Sequence, residues 1–358
     1  MEQTNAARFF LGANAKTGFY SLYDSFTNPA SGDFLWVIKG GPGCGKSSFM
    51  RRIAAAAQDA GQPVETILCS GDPDSLDAVY LPAQRVAYVD GTAPHVIEPR
   101  YPGADSRYLD FSRFLNVEAL RPCLPEITEL NRRYKALYAA AYAQLAAAAS
   151  LLPRNSPDIC TDDIMHTLAR RTDALASREL RPLKKASAAT RRFLSAWSCK
   201  GRITLTETLS AYCERLYVLD NGLGLGNIAL ERLAAQASAR GYDIILCYDP
   251  LEPEKLEALL LPEIRLSFLA EEGPEMISAL SCRRARLDAL AVRTLTPEAR
   301  RALRQRKKES RALLSSAAAT LAQAKALHDE LEAVYRPHVD FSGADALAEE
   351  HIRRLLGR

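Results

Sequence analysis

Eight consecutive residues, Gly40-Gly41-Pro42-Gly43-Cys44-Gly45-Lys46-Ser47, have the types and spacing of a phosphate cradle. Glycines let backbone N–H groups turn inward around phosphate oxygens, the lysine reaches the β and γ phosphates, and the hydroxyl that follows it ligates magnesium. Ser48 continues the polar edge. The chemistry expected of such a run is binding of ATP with Mg2+ and cleavage of its terminal phosphate. The metal needs an acidic partner at the end of a neighbouring strand. Val86-Ala87-Tyr88-Val89-Asp90 supplies an apolar strand ending in a carboxylate, so Ser47 and Asp90 are the candidate metal ligands and Lys46 and Asp90 candidate catalytic residues. No glutamate adjoins Asp90, which leaves Asp72, Asp74 and His95 to orient water, Asp72 first among them. Asp72-Pro73-Asp74-Ser75 also reads as turn and helix-capping chemistry. Cys44 is either an activated thiol or a small residue that fits the loop, and the second is the plainer reading.

These residues need a strand before the loop and a helix after it. Phe34 to Ile38 is an apolar strand, and an alanine-rich helix runs on from about Ser47. Further strands are expected at Val64 to Cys69 and at Arg85 to Val89. Alternation of strand and helix implies an α/β lobe with a mainly parallel sheet.

The chain is then written a second time. Gly41, Gly43 and Gly45 match Gly222, Gly224 and Gly226, each 181 positions on. Leu35-Trp36-Val37-Ile38 matches Leu216-Tyr217-Val218-Leu219, Leu68-Cys69 matches Leu246-Cys247, and Leu76, Pro82, Arg85 and Pro94 match Leu256, Pro262, Arg265 and Pro274. Lys16-Thr17-Gly18 recurs as Lys200-Gly201, which raises the question whether Lys16 reaches nucleotide or a neighbouring lobe. Ordered matches with small drifts mean duplication. The second copy keeps glycines that suggest the same backbone path, yet Asn227, Ile228 and Ala270 stand where this alignment has Lys46, Ser47 and Asp90. One nucleotide per chain is expected, with the second lobe structural or regulatory.

Each copy turns helical after its lobe. Ile127, Leu130, Tyr134, Leu137, Ala141, Leu145, Ala148 and Leu152 follow one helix face, and Leu313, Ala317, Leu321, Ala324, Leu331 and Val334 do so again. The expected organisation is a P-loop lobe over 1–115, a helical hairpin over 116–185, a degenerate lobe over 186–280 and a second hairpin over 281–358. The hairpins are core packing or arms for a protein partner.

Bulk properties exclude little else. Of 358 residues, 47% are apolar and 25% charged, which are globular proportions with room for two domains. The net charge of +3 does not mark a nucleic-acid binder. Arg300, Arg301, Arg304, Arg306, Lys307, Lys308 and Arg311 crowd one helix, where a solvated basic face is the plainer reading. Eight cysteines lack zinc-ligand spacing and read as reduced thiols. Ala136 to Leu152 carries no charge over 17 residues but is short for a membrane span, and the N-terminus shows no secretion signal, so a cytoplasmic protein is expected.

The runs Gly12 to Asp24, Lys39 to Ser47 and Asp90-Gly91-Thr92-Ala93-Pro94-His95 resemble a bacterial group of tandem P-loop ATP-binding proteins across nearly the whole chain, and more distantly KaiC and RecA-type ATPases. The resemblance implies nucleotide binding without naming a reaction. In that group the second copy commonly keeps its phosphate-binding lysine, and this chain departs from it. An ATPase is therefore the leading expectation, ahead of a nucleotide or small-molecule kinase and of a nucleotide-gated nucleic-acid-binding protein.

Overall fold

The computed structural model describes residues 6–93, 96–153, 159–271 and 282–357. In the first half β1 (Ala6–Phe9) leads into a hairpin of β2 (Gly12–Ala15) and β3 (Gly18–Ser21). Then come β4 (Phe34–Lys39), α1 (Lys46–Asp59), β5 (Val64–Leu68), β6 (Leu76–Leu81), β7 (Val86–Asp90) and β8 (Ser106–Asp110). Six of these strands form one mixed sheet in the order β1-β5-β6-β7-β4-β8. The strand that leads into the glycine loop, β4, lies parallel between β7 and β8. Helix α1 buries Phe49, Met50, Ile53, Ala54 and Ala57, one face of a 3.6-residue period.

The sheet is less parallel than expected, because β6 runs antiparallel to both neighbours. The four residues Pro82 to Arg85 close a hairpin between β6 and β7, with the Arg85 amide donating to the Pro82 carbonyl at 3.4 Å and Arg85 itself left-handed at φ 54°. Asp72-Pro73-Asp74-Ser75 therefore turns one strand into the next and caps no helix.

After α2 (Val117–Leu120), α3 (Leu124–Ser150) and α4 (Asp162–Glu179), the fold repeats. β9 (Ala189–Arg192), β10 (Ser195–Ser198), β11 (Gly201–Thr204), α5 (Thr206–Tyr212), β12 (Arg215–Asp220), α6 (Leu225–Ala239), β13 (Ile244–Tyr248), β14 (Leu256–Leu261), β15 (Leu266–Glu271) and β16 (Cys282–Ala285) follow. The second sheet has the order β9-β13-β14-β15-β12-β16, strand for strand the first again. Even the irregularity between Ile67 and Leu68 recurs between Cys247 and Tyr248. Leu68 thus corresponds to Tyr248, two residues from the Leu246 match that the apolar run suggested. The edge strand β16 also carries the second lobe past the boundary expected at 280.

A pseudo-twofold relates the lobes. Phe10 and Phe193 exchange backbone hydrogen bonds of 3.0 and 2.9 Å, and the Lys16 and Cys199 amides donate to the carbonyls of Leu251 and Gly71. Lys16 reaches the neighbouring lobe, where its ammonium pairs with Glu252 at 3.1 Å and with Glu254.

The remaining helices, α7 (Ala289–Val292), α8 (Pro297–Tyr335) and α9 (Phe341–Leu356), complete the chain. The helices are exchanged between the halves instead of forming a separate hairpin on each lobe. α3 pairs along α8, α4 packs on α6 of the second lobe, and α9 packs on α1 of the first. Leu130 meets Leu327 and Leu331 at one end of the α3–α8 seam and Leu145 meets Ala317 at the other, so the pair runs antiparallel. The charge-free stretch of α3 is spent on this seam, and among the described residues no helix is long and apolar enough to cross a membrane.

Candidate functional site

Six residues, Gly40 to Gly45, link β4 to α1. Gly43 and Gly45 take φ of 65° and 90°, a region that side-chain-bearing residues rarely enter, and Gly45 caps α1 without a side chain. The α1 amides therefore open toward the loop's hollow with the positive end of the helix dipole behind them. Lys46, nearly buried, donates from Nζ to the Gly41 carbonyl at 2.8 Å and stands 3.6 Å from the Asp90 carboxylate. Strand pairing accounts for that meeting, since Ile38 lies directly beside Asp90 in the β4–β7 ladder. Asp90 also accepts from the Thr92 amide at 2.9 Å and from its hydroxyl at 2.6 Å, which fixes the carboxylate at the loop's mouth.

Ser47 Oγ accepts from the Leu76 amide at 2.9 Å, and Ser47, Ser48 and Asp90 all line one cavity of about 570 Å³. Cys44 is fully buried and burial pushes its thiol pKa up, so it packs and is not an activated thiolate. Asp72 lines the same cavity but forms an ion pair with Lys325 of α8 at 3.3 Å, while its side chain accepts from the Asp74 amide at 3.2 Å. Asp74 pairs across the lobe interface with Lys200, and this partner holds its carboxyl below the usual range. Both acids thus bind elements together. His95 lies outside the described residues.

Sequence reasoning missed the roof of the cavity. It comes from Asn131, Tyr134 and Tyr138 of α3 and from Lys325, His328 and Glu332 of α8, with Arg336 just beyond. The signal was present as polar residues at positions 325, 328 and 332, three and four apart along one edge of the apolar stripe. The approach is close. A side chain at Gly41 would stand 2.9 Å from the Tyr335 ring, and one at Gly43 would stand 3.3 Å from the Glu332 carbonyl oxygen. The loop's glycines thus serve packing as well as conformation. His328, Asp329 and Glu332 hold their ligand atoms within 4.8 Å of one another, although Asp329 is also engaged by Lys325.

The second loop departs from the first in its backbone as well as its residues. Only four residues, Asn221 to Gly224, link β12 to α6, and Gly224 alone of its three glycines has a positive φ, at 85°. The helix-side landmarks shift the alignment by one. Ser47 meets Leu76, and it is Asn227 that meets the matching Leu256, donating to its carbonyl at 2.6 Å. Gly226 therefore takes the place of Lys46, and Asn227 that of Ser47. The loop's donors are spent internally, since Asn221 Oδ1 accepts from the Asn227 amide at 3.1 Å and Asp288 Oδ1 from the Leu223 amide at 3.2 Å. Burial raises the Asp288 carboxyl pKa, against the effect of nearby Lys307 on α8.

No family model, curated protein or solved structure matches this chain.

Proposed function

We propose that the first loop binds ATP with Mg2+ and that the lobe is a P-loop nucleoside triphosphatase. The observation that carries the reading is Lys46, nearly buried, poised 3.6 Å from Asp90 at the open N-terminus of α1. A triphosphate there meets helix amides and an ammonium together, which is where polyanions are most stabilised. Ser47 and Asp90 would hold the metal, whose role is to neutralise charge between the β and γ phosphates. The α3–α8 roof covers one side of the loop, and the lower polarity there strengthens each of these contacts. In the second loop Asn221 and Asp288 occupy the donors and no lysine follows the glycines, so that lobe acts as a structural or regulatory mate.

Titration calorimetry with a non-hydrolysable ATP analogue and magnesium tests the reading, alongside turnover assays. One site per chain is expected, and Lys46→Ala is expected to weaken it by about 10 to 150-fold, the worth of one charge-assisted phosphate contact. Asp90→Asn is expected to keep nucleotide but lose magnesium dependence and turnover. Two equivalent sites, or unchanged affinity in a folded Lys46→Ala protein, would sink the assignment.

A further inference from the structure

Charge is unevenly placed along this chain. Residues 283–311 carry eleven lysines and arginines against three acids, a net +8, whereas the whole chain is only +3. The structure sorts these charges onto the first third of α8 and the connection before it. On the inward side of α8, Leu303 joins the second lobe's core, Ser310 is buried with its hydroxyl donating to the Ala148 carbonyl at 2.9 Å, and Lys307 stands over the second loop. On the outward side, Arg301, Arg304, Lys308 and Arg311 are all exposed. They recur at intervals of three and four, so they share one face and form a stripe about 15 Å long at the helical rise per residue. None of the four pairs with a carboxylate among the described residues. Arg286 and Arg293 lie exposed on the connection from β16.

An ordinary solvated helix interleaves its charges, and the other end of α8 does so, with Lys325 on Asp329 and His328 beside Glu332. Here two of the three acids are engaged away from the stripe. Asp288 takes the Leu223 amide, and Glu309 takes a hydrogen bond from the Gln305 amide. A row of cations left without paired acids on a 39-residue helix fits a regular row of anions.

We propose that this stripe docks on the phosphate backbone of a nucleic-acid duplex, without reading its sequence. The choice of a duplex rests on what the surface lacks. Residues 283–311 contain no Phe, Tyr or Trp, whereas surfaces that hold single strands stack bases on aromatic rings. Arginine and lysine alone supply the backbone contacts that position a protein on a double helix. The inference is independent of the nucleotide reading, because none of the four residues lines the first loop's cavity.

Fluorescence anisotropy with a labelled 20-base-pair DNA duplex over a salt series tests it. Four phosphate contacts predict a slope of log affinity against log salt near −3.6, or a fall of roughly 100-fold between 50 and 200 mM. The variant carrying Arg301→Gln, Arg304→Gln, Lys308→Gln and Arg311→Gln keeps good helix formers at exposed positions and so should fold, which circular dichroism checks. It is expected to lose most of that slope and at least about 30-fold in affinity at 100 mM salt. Arg133→Gln with Lys135→Gln, at the far end of α3, should bind as the wild type does. Equal affinity for an RNA duplex supports a backbone-only contact. Any one of three results overturns the proposal: no duplex binding at 50 mM salt, a folded four-site variant that binds like the wild type, or tighter binding to single strands or to phosphatidylglycerol vesicles than to the duplex.

Discussion

His351 packs against the first lobe, where burial strongly perturbs it. It sits on α9, 3% exposed, with Nδ1 sharing a 2.8 Å hydrogen bond with the Tyr88 hydroxyl and its ring against Phe49 and Trp36. Burial lowers its pKa to about 4, with Arg354 adding to the effect. The folded chain therefore holds this ring neutral while the unfolded chain protonates it below about 6.5. Its contribution to stability is complete above that pH and is lost as the pH falls to about 4, at a cost of about 3 kcal/mol. Urea unfolding at pH 7 and pH 4 should show the wild type losing about that much more than His351→Leu. Equal losses in both proteins would mean that the ring is not buried as described.

Elements were legible where period and punctuation agreed. The helix after the first loop, the long helices α3, α4, α8 and α9, and the strand pairs flanking each loop all follow their apolar periods. β6 and β14 escaped because each run of six after a turn, apolar except for Asp77 or Glu257, fits a helix-and-strand alternation as well as a hairpin. The repeated Leu-Pro-x-x-Arg, at Leu81 to Arg85 and Leu261 to Arg265, was the available sign of a hairpin, with the arginine left-handed in both copies. The second loop was misaligned by one residue because glycines at every other position match in more than one way. Spatial pairing of Asn227 with Leu256 decides it. The plug in that loop carries its own prediction. Asp288→Ala leaves the Leu223 amide without its acceptor and Lys307 without its nearby carboxylate, at an expected cost of about 1–3 kcal/mol. Nucleotide stoichiometry should stay at one per chain, since no lysine is restored. Chemical denaturation and calorimetry on the same variant check both parts, and a second nucleotide site would contradict the account.

At the scale of the whole molecule, periodicity cannot say which helix meets which sheet. The same apolar faces would serve a hairpin folded on its own lobe or an exchange between lobes. The exchange is what the fold contains. α4 buries Ile164, Leu168 and Ala176 in the second lobe's core, and α9 places Ala344, Leu347 and Ala348 in the first's. Neither half can cover its central helix alone. Residues 1–185 and 186–358 produced as separate chains should therefore aggregate or self-associate singly and co-purify as a one-to-one complex when co-expressed. A monomeric first half that unfolds cooperatively by itself would refute the interlock.

The exchange also bears on how the two halves came to differ. Two lobes related by a pseudo-twofold, each clasped by the other's last helix, have the layout of a symmetric dimer with swapped arms, drawn onto one polypeptide through the joint between α4 and β9. In a symmetric dimer every substitution appears twice, so a plug such as Asn221 with Asp288 would close both loops together. Joined in one chain, the copies inherit separately. The mate is held at the high effective concentration of a tether. One loop is then free to do without its lysine and fill with internal caps, and the other keeps Lys46 and Asp90 under a roof that both halves build.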